Sequence, residues 1–335
     1  MASNLLATAF CGSVFGMALT AAGVHRPDVI IAQLTLQDFH MLESFLAAAA
    51  GSVALVTFFQ RLDFTKLPPR GYSSMGLFGS LDGNIIGGLI QGTGMALAGS
   101  CPGTVFAQVG AGIQSGVYTL GGLIVGGILW TGFLQPYLQR RSSKKPVLSK
   151  PISVDKRLGL SQLATVAAIE GIFLSAIAIA VSQSNGTTRG LVHPVIGGLL
   201  IACAQLLSAS TRKALLGTST AFEEVGNAFW SVIGGRSRST GTLSYGNIVF
   251  VSGMTIGARL LAWRYPSVSL WSTVASNPLR VVTGGVLLAI GSRLSGGCTS
   301  GHGISGISLL SVSSYVTVAA MFTGAISTAL LLYRS

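Results

Sequence analysis

Two cysteines lie in short runs whose residue types suit the binding of an anion. The first run is Ala98-Gly99-Ser100-Cys101-Pro102-Gly103-Thr104. There an apolar stretch ends in glycine, the chain turns, and Pro102 is suited to start a new helix while Ser100 and Thr104 supply capping hydroxyls. Cys101 is thereby expected at a helix mouth, beside unpaired backbone N–H groups and the positive end of the dipole. Such a place attracts anions and makes a thiol more acidic. The second run, Gly296-Gly297-Cys298-Thr299-Ser300-Gly301-His302-Gly303, repeats the plan with more glycines. Fewer side chains there let backbone amides come close to a ligand.

These runs end an internal repeat. Residues 87–101 read GGLIQGTGMALAGSC and residues 284–298 read GGVLLAIGSRLSGGC. At a fixed shift of 197 residues, Gly87, Gly88, Gly94, Gly99 and Cys101 fall on Gly284, Gly285, Gly291, Gly296 and Cys298. Cysteine is rare in this chain, with only four, so its recurrence at the same place marks Cys101 and Cys298 as a pair. Cys11 and Cys203 stand alone on apolar stretches and read as small core residues. No CxxC or Cys/His ligand spacing occurs, which argues against a zinc site or a disulfide framework.

Other polar residues carry weaker signals. His302 follows Cys298 by four residues, a spacing that shares a metal on a helix, but the intervening glycines favour a hydrogen-bonding histidine. Arg293 interrupts an apolar segment, where a cation is costly. It reads either as a functional residue or as half of an ion pair with Glu170 or Glu223. Glu223 and Glu224 suit loop bracing or proton relay.

The elements that position these residues are membrane helices. Hydrophobic residues make up 50% of the chain and charged ones 9%, against roughly 25% charged in soluble domains. Apolar stretches run over 5–24, 42–60, 79–98, 115–135, 163–182, 191–208, 245–263, 280–295 and 314–333, each near the length that spans hydrocarbon. Segments 99–113, 217–234 and 296–312 are short and interrupted, and suit re-entrant loops sheltered by protein. The net charge of +12 gathers in Arg140, Arg141, Lys144, Lys145, Lys150, Lys156 and Arg157. A basic cluster between apolar runs reads as a cytoplasmic loop, not a nucleic-acid surface. The expected plan is all-α: a first membrane repeat over 1–138, a basic cytoplasmic linker over 139–160 and a second repeat over 161–335. The repeats are expected to be inverted, so that the cysteine loops enter from opposite faces. The Asn185-Gly186-Thr187 sequon then falls on the outer side. With no basic n-region, the opening stretch reads as a first helix, and the plasma membrane is the default location.

The runs GMALAGSCPG (94–103) and GSRLSGGCTSGHGISG (291–306) resemble the paired signatures of the YeeE/YedE family of membrane sulfur transporters. FGMALTAAGVHRPDVI (15–30) and LLGTSTAFEEVGNAFW (215–230) extend the likeness into both halves, and the long basic linker resembles a eukaryotic, fungal member. The resemblance implies thiosulfate uptake through an hourglass-shaped helical protein, with cysteines at loop tips passing the ion along by S–H hydrogen bonds. By motif position, Cys101 and Cys298 match two of those cysteines, with Ser100, Gly103, Thr104, Thr299, Ser300, Gly301 and His302 around them. The family pattern has a third cysteine on an early helix; Cys11 falls too early for it, and Cys203 lies in the other half. Physical chemistry agrees: thiosulfate is a dianion with a soft terminal sulfur that a thiol can hydrogen-bond, and sulfate lacks that end. The implied partners are this small anion and the lipid bilayer, with no cofactor, no metal and no nucleic acid; nothing sets the oligomeric state. GxxxxGK[ST] is absent, so the chain does not itself hydrolyse ATP. Two rival readings are a membrane thiol enzyme that carries sulfur as a persulfide on Cys298, and a soft-metal permease built on cysteine, His302 and Met254.

Overall fold

The computed structural model describes residues 2–63, 67–142, 151–184, 188–234, 245–269 and 277–333. The sequon at 185–187 and residues 143–150 of the basic linker lie outside them. The described chain is all-α. Helices α1 (Ala2–Ala21), α2 (Pro27–Leu34), α3 (His40–Arg61), α4 (Asp82–Ala98), α5 (Thr104–Ala111), α6 (Gln114–Leu129) and α7 (Gln135–Ser142) precede the linker. Helices α8 (Val154–Leu158), α9 (Gln162–Gln183), α10 (Pro194–Arg212), α11 (Thr220–Gly234), α12 (Gly246–Arg264), α13 (Pro278–Leu294) and α14 (Val312–Tyr333) follow it.

Local chemistry sets the helix starts. Pro27, Pro194 and Pro278 each open a helix at a position where the missing N–H costs nothing. The Asn277 side chain accepts the Leu279 N–H (3.0 Å), and the Ser161 hydroxyl accepts that of Ala164 (3.2 Å). Helix α9 is apolar nearly all round and exposes Ile172, Leu174 and Ile179, as a lipid-facing helix does. Among the described residues, seven helical stretches are long and apolar enough to cross a membrane, namely those of α1, α3, α6 with α7, α9, α10, α12 and α14. The chain is therefore an integral, multi-pass membrane protein.

Two of the apolar runs behave differently from the rest. Helices α4 and α13 have 17 residues each, about 25 Å, and fall short of the roughly 30 Å hydrocarbon core. Both stop where a glycine bends the chain into the left-handed region, Gly99 at φ +58° and Gly296 at φ +82°. The apolar runs read at 79–98 and 280–295 thus form short helices that end at the expected places and release the two cysteine loops. The pair packs antiparallel, with Gly87 against Gly291 and Ser295, and Gly94 against Gly284 and Leu288. Cys101 and Cys298 consequently follow opposite ends of this central pair.

The halves on either side of the linker exchange helices. Helix α1 lies parallel to α12, with Gly12 against Phe250 and Gly16 against Met254. Helix α10 lies parallel to α3, with Gly198 against Ser44 and Gly51 against Ala202. In the same way α6 runs beside α13 and α14 beside α4. Backbones approach closely at these glycines, the packing that membrane helices use where lipid gives no hydrophobic drive. Within this frame both cysteine loops are enclosed and reach the same buried core.

Candidate functional site

The first loop is held by its own helix. The Gln108 side chain donates to Gly99 O (2.9 Å), fixing the turn that ends α4. The Cys101 N–H donates to the Thr104 hydroxyl oxygen (2.9 Å), and the Thr104 N–H donates back to Cys101 Sγ (3.3 Å). Ser100 Oγ lies 3.4 Å from that same Thr104 oxygen. The Cys101 sulfur therefore receives an amide at the mouth of α5, which starts at Thr104 rather than at Pro102.

The second loop reaches across the molecule. After Gly296 the chain winds into a wide π-helical turn over Ser300–Gly306. Cys298 Sγ lies 3.3 Å from Ser300 Oγ and 3.4 Å from Thr218 Oγ1, and receives the Thr218 N–H at 3.5 Å. Thr218 Oγ1 also donates to Pro102 O (3.0 Å), in the first loop. A hydroxyl has one proton and a carbonyl can only accept it. Toward Cys298 the Thr218 oxygen can therefore only accept, and it and Ser300 Oγ both lie within reach of the single Cys298 S–H. Thr218 joins both loops.

Gly103 lies between the two loops: a Cβ there would meet Ser300 Oγ at 3.6 Å and both Cys101 Sγ and Thr218 Oγ1 at 3.8 Å, ordinary contact distances. Helix starts adjoin this region: Thr104 opens α5, Ser300 opens the π-turn, and Thr218, which touches both loops, stands two residues before α11. The Thr104 and Thr218 N–H groups point at the two sulfurs and make the centre receptive to negative charge. A cavity of about 40 Å³ opens beside it. Cys101, Gly103, Thr104, Thr299 and Ser300 line this cavity together with Phe15, Leu19, Met41, Phe45 and Ile201.

The remaining sequence candidates take supporting positions. His302 Nε2 donates to Ser295 O (3.1 Å), and Nδ1 accepts from Ser314 Oγ (2.9 Å), so the ring clasps the second loop to α14. That is the hydrogen-bonding role; the ring meets Ser295 and Ser314, and Gly301 stands beside it. Arg293 forms an ion pair with Glu223, which also accepts from Gln135 (2.9 Å). This resolves the open choice for Arg293 in favour of Glu223, and links α13 to α11. Glu224 caps α12, accepting from Asn247 Nδ2 (2.7 Å) and the Ile248 N–H (3.0 Å). Cys11 Sγ lies 3.0 Å from Thr211 Oγ1 and Cys203 is exposed, so neither joins the pair. Met254 is buried at the α1–α12 contact.

Sequence reasoning missed three contributors. Thr218 lies in LLGTSTAFEE, whose likeness to the family was noted without singling out this residue. Gln91, buried in α4, turns its amide so as to donate to Gly297 O (3.3 Å) and accept the Thr299 N–H (3.1 Å). A glutamine within an apolar glycine-rich helix was the signal for it. Arg70, in the loop 67–81, lies against Gly297 and Gly301, and nothing in its local sequence announced that.

A multi-pass helical protein with buried polar loops meeting at its centre has the build of a membrane transporter. The family model for sulphur transport matches residues 27–327. The chain belongs to the sulphur transport family, which makes it a transporter and not an enzyme. It is 23% identical over 342 residues to the thiosulfate transporter TsuA of Spirochaeta thermophila, covering 96% of this chain and 97% of that protein. A probable transporter of Xylella fastidiosa is 31% identical over 140 residues, covering 41% of this chain and 91% of that protein.

Proposed function

We propose that the protein is a permease for thiosulfate or a closely related sulfur oxyanion, passed between Cys101 and Cys298 by S–H hydrogen bonds. The observation that carries this reading is Thr218, which contacts the Cys298 sulfur and the Pro102 carbonyl together. The two thiol loops thus form one continuous polar contact within an apolar protein. The Thr104 and Thr218 N–H groups offset the anion's charge, and the thiols address its soft sulfur. No bond to sulfur is made or broken. Two stations in series suit transport, because binding must be firm enough to admit the ion and weak enough to release it.

On this reading residues 1–138 and 161–335 are inverted copies. Support comes from the antiparallel α4–α13 pair and from the reciprocal α1–α12 and α3–α10 packing. Linker 139–160 faces the cytoplasm by its charge, and the plasma membrane is the expected home.

Proteoliposomes loaded with wild type, Cys101→Ala or Cys298→Ala, given labelled thiosulfate and excess sulfate, test the proposal. Wild-type uptake that resists sulfate is expected. Each alanine variant should lose roughly tenfold or more, the worth of one hydrogen bond to a charged partner. Folded wild-type protein that moves no thiosulfate overturns the substrate, and alanine variants at wild-type rates overturn the relay.

A further inference from the structure

Arg70 has a setting that the thiol relay does not use. Its backbone is pinned at both ends: its N–H donates to Ser311 Oγ (2.8 Å) and its carbonyl accepts from Ser313 Oγ (3.1 Å). The guanidinium is seated against glycines of the second loop. Nη1 donates to Gly296 O at 3.4 Å and lies 2.7 Å from the Cβ position of Gly297. Nη2 lies 3.3 Å from that of Gly301 and 3.9 Å from that of Gly217, the residue before Thr218. Glycine at these places lets the cation approach the backbone that carries Cys298.

No Asp or Glu among the described residues pairs with Arg70, whereas Arg293 is neutralised by Glu223. A half-buried guanidinium with one long hydrogen bond leaves most of its donors to another ligand. Its planar fork matches two oxygens of a tetrahedral oxyanion. The location is on the linker side. The strip that holds Arg70, around Ser311, also pairs with the end of the linker, through Val154 N–H to Leu310 O (2.8 Å) and Val312 N–H to Ile152 O (3.3 Å). The cavity beside Cys101 has no cationic side chain in its wall.

We infer that Arg70 is a further anion-binding residue, which takes the oxygen end of the substrate on the linker side while the sulfur end lies at Cys298. The inference rests on the permease reading. It makes the path asymmetric, with a neutral station at Cys101 and a charged one behind Cys298.

The test compares initial thiosulfate uptake and equilibrium binding for wild type, Arg70→Gln and Arg70→Lys across a range of ionic strength. Arg70→Gln is expected to raise KM and Kd roughly ten- to hundredfold, and to flatten their dependence on salt. Arg70→Lys keeps the charge without the fork, and should retain the salt dependence at an intermediate KM. A folded Arg70→Gln protein with wild-type KM and wild-type salt response overturns the inference. If Arg70→Gln does not fold, Arg70→Lys decides alone, and an unchanged KM overturns it. Wild-type protein that neither binds nor moves thiosulfate breaks the reading beneath, and the inference falls with it.

Discussion

The Cys101 and Cys298 loops begin alike and part at the sulfur. Gly99 and Gly296 turn the chain through the same left-handed region, each two residues before its cysteine. Beyond that point Cys101 is served by its own helix, through the Thr104 amide, and its cavity is lined also by apolar side chains such as Phe15 and Ile201. Cys298 is served from elsewhere: Thr218 arrives from the start of α11, Gln91 holds the neighbouring backbone from α4, and Arg70 presses from the loop before α4. The Cys101 sulfur draws its contacts from Thr104 nearby, whereas the Cys298 sulfur adds Thr218 from afar to Ser300 of its own loop. A repeated motif therefore supplies equal backbones, and the partners packed around them make the two stations unequal.

The largest way to break this contrast is at Thr218. Thr218→Val removes the hydroxyl that touches both loops and should lower thiosulfate uptake about tenfold, while Thr218→Ser keeps the bond and most of the rate. Wild-type uptake by the valine variant would mean that Cys298 needs no more help than Cys101. A smaller effect separates the two turns. Alanine at either glycine is strained by roughly 1–2 kcal/mol in the left-handed region. Gly99→Ala also drives a Cβ against Pro27 at 3.1 Å, whereas at Gly296 the nearest atom is Ser73 Cβ at 3.7 Å. Thermal unfolding in detergent should show the lower Tm for Gly99→Ala; equal shifts would remove the packing difference. The smallest effect belongs to Cys203→Ala, on the exposed face of α10, which should leave uptake unchanged. A loss there would add a third thiol to the comparison.

Much of this architecture was legible before any coordinates. Membrane class follows from composition, because an apolar surface of this extent is stable only against lipid. The turns at Gly99 and Gly296 and the pairing of Cys101 with Cys298 follow from a repeat visible in one short window. These are local properties, written within a helix or a turn. The shortness of α4 was harder to see, since the apolar run begins at 79 whereas the helix begins at Asp82.

Thr218, Gln91, Arg70 and the choice of Glu223 for Arg293 belong to another category. Each meets its partner across a separation in the chain of between 70 residues and more than 200. Hydrophobic periodicity records which face of a helix is buried, but not which distant polar group waits there. That assignment required α4 to lie antiparallel to α13 and the two halves to exchange α1 and α10. The thiols and their turns are short-range chemistry that the chain carries in its order of residues. The charge and hydroxyl that distinguish one thiol from the other exist only once the helices have packed, because hydrogen bonds and ion pairs form between neighbours in space.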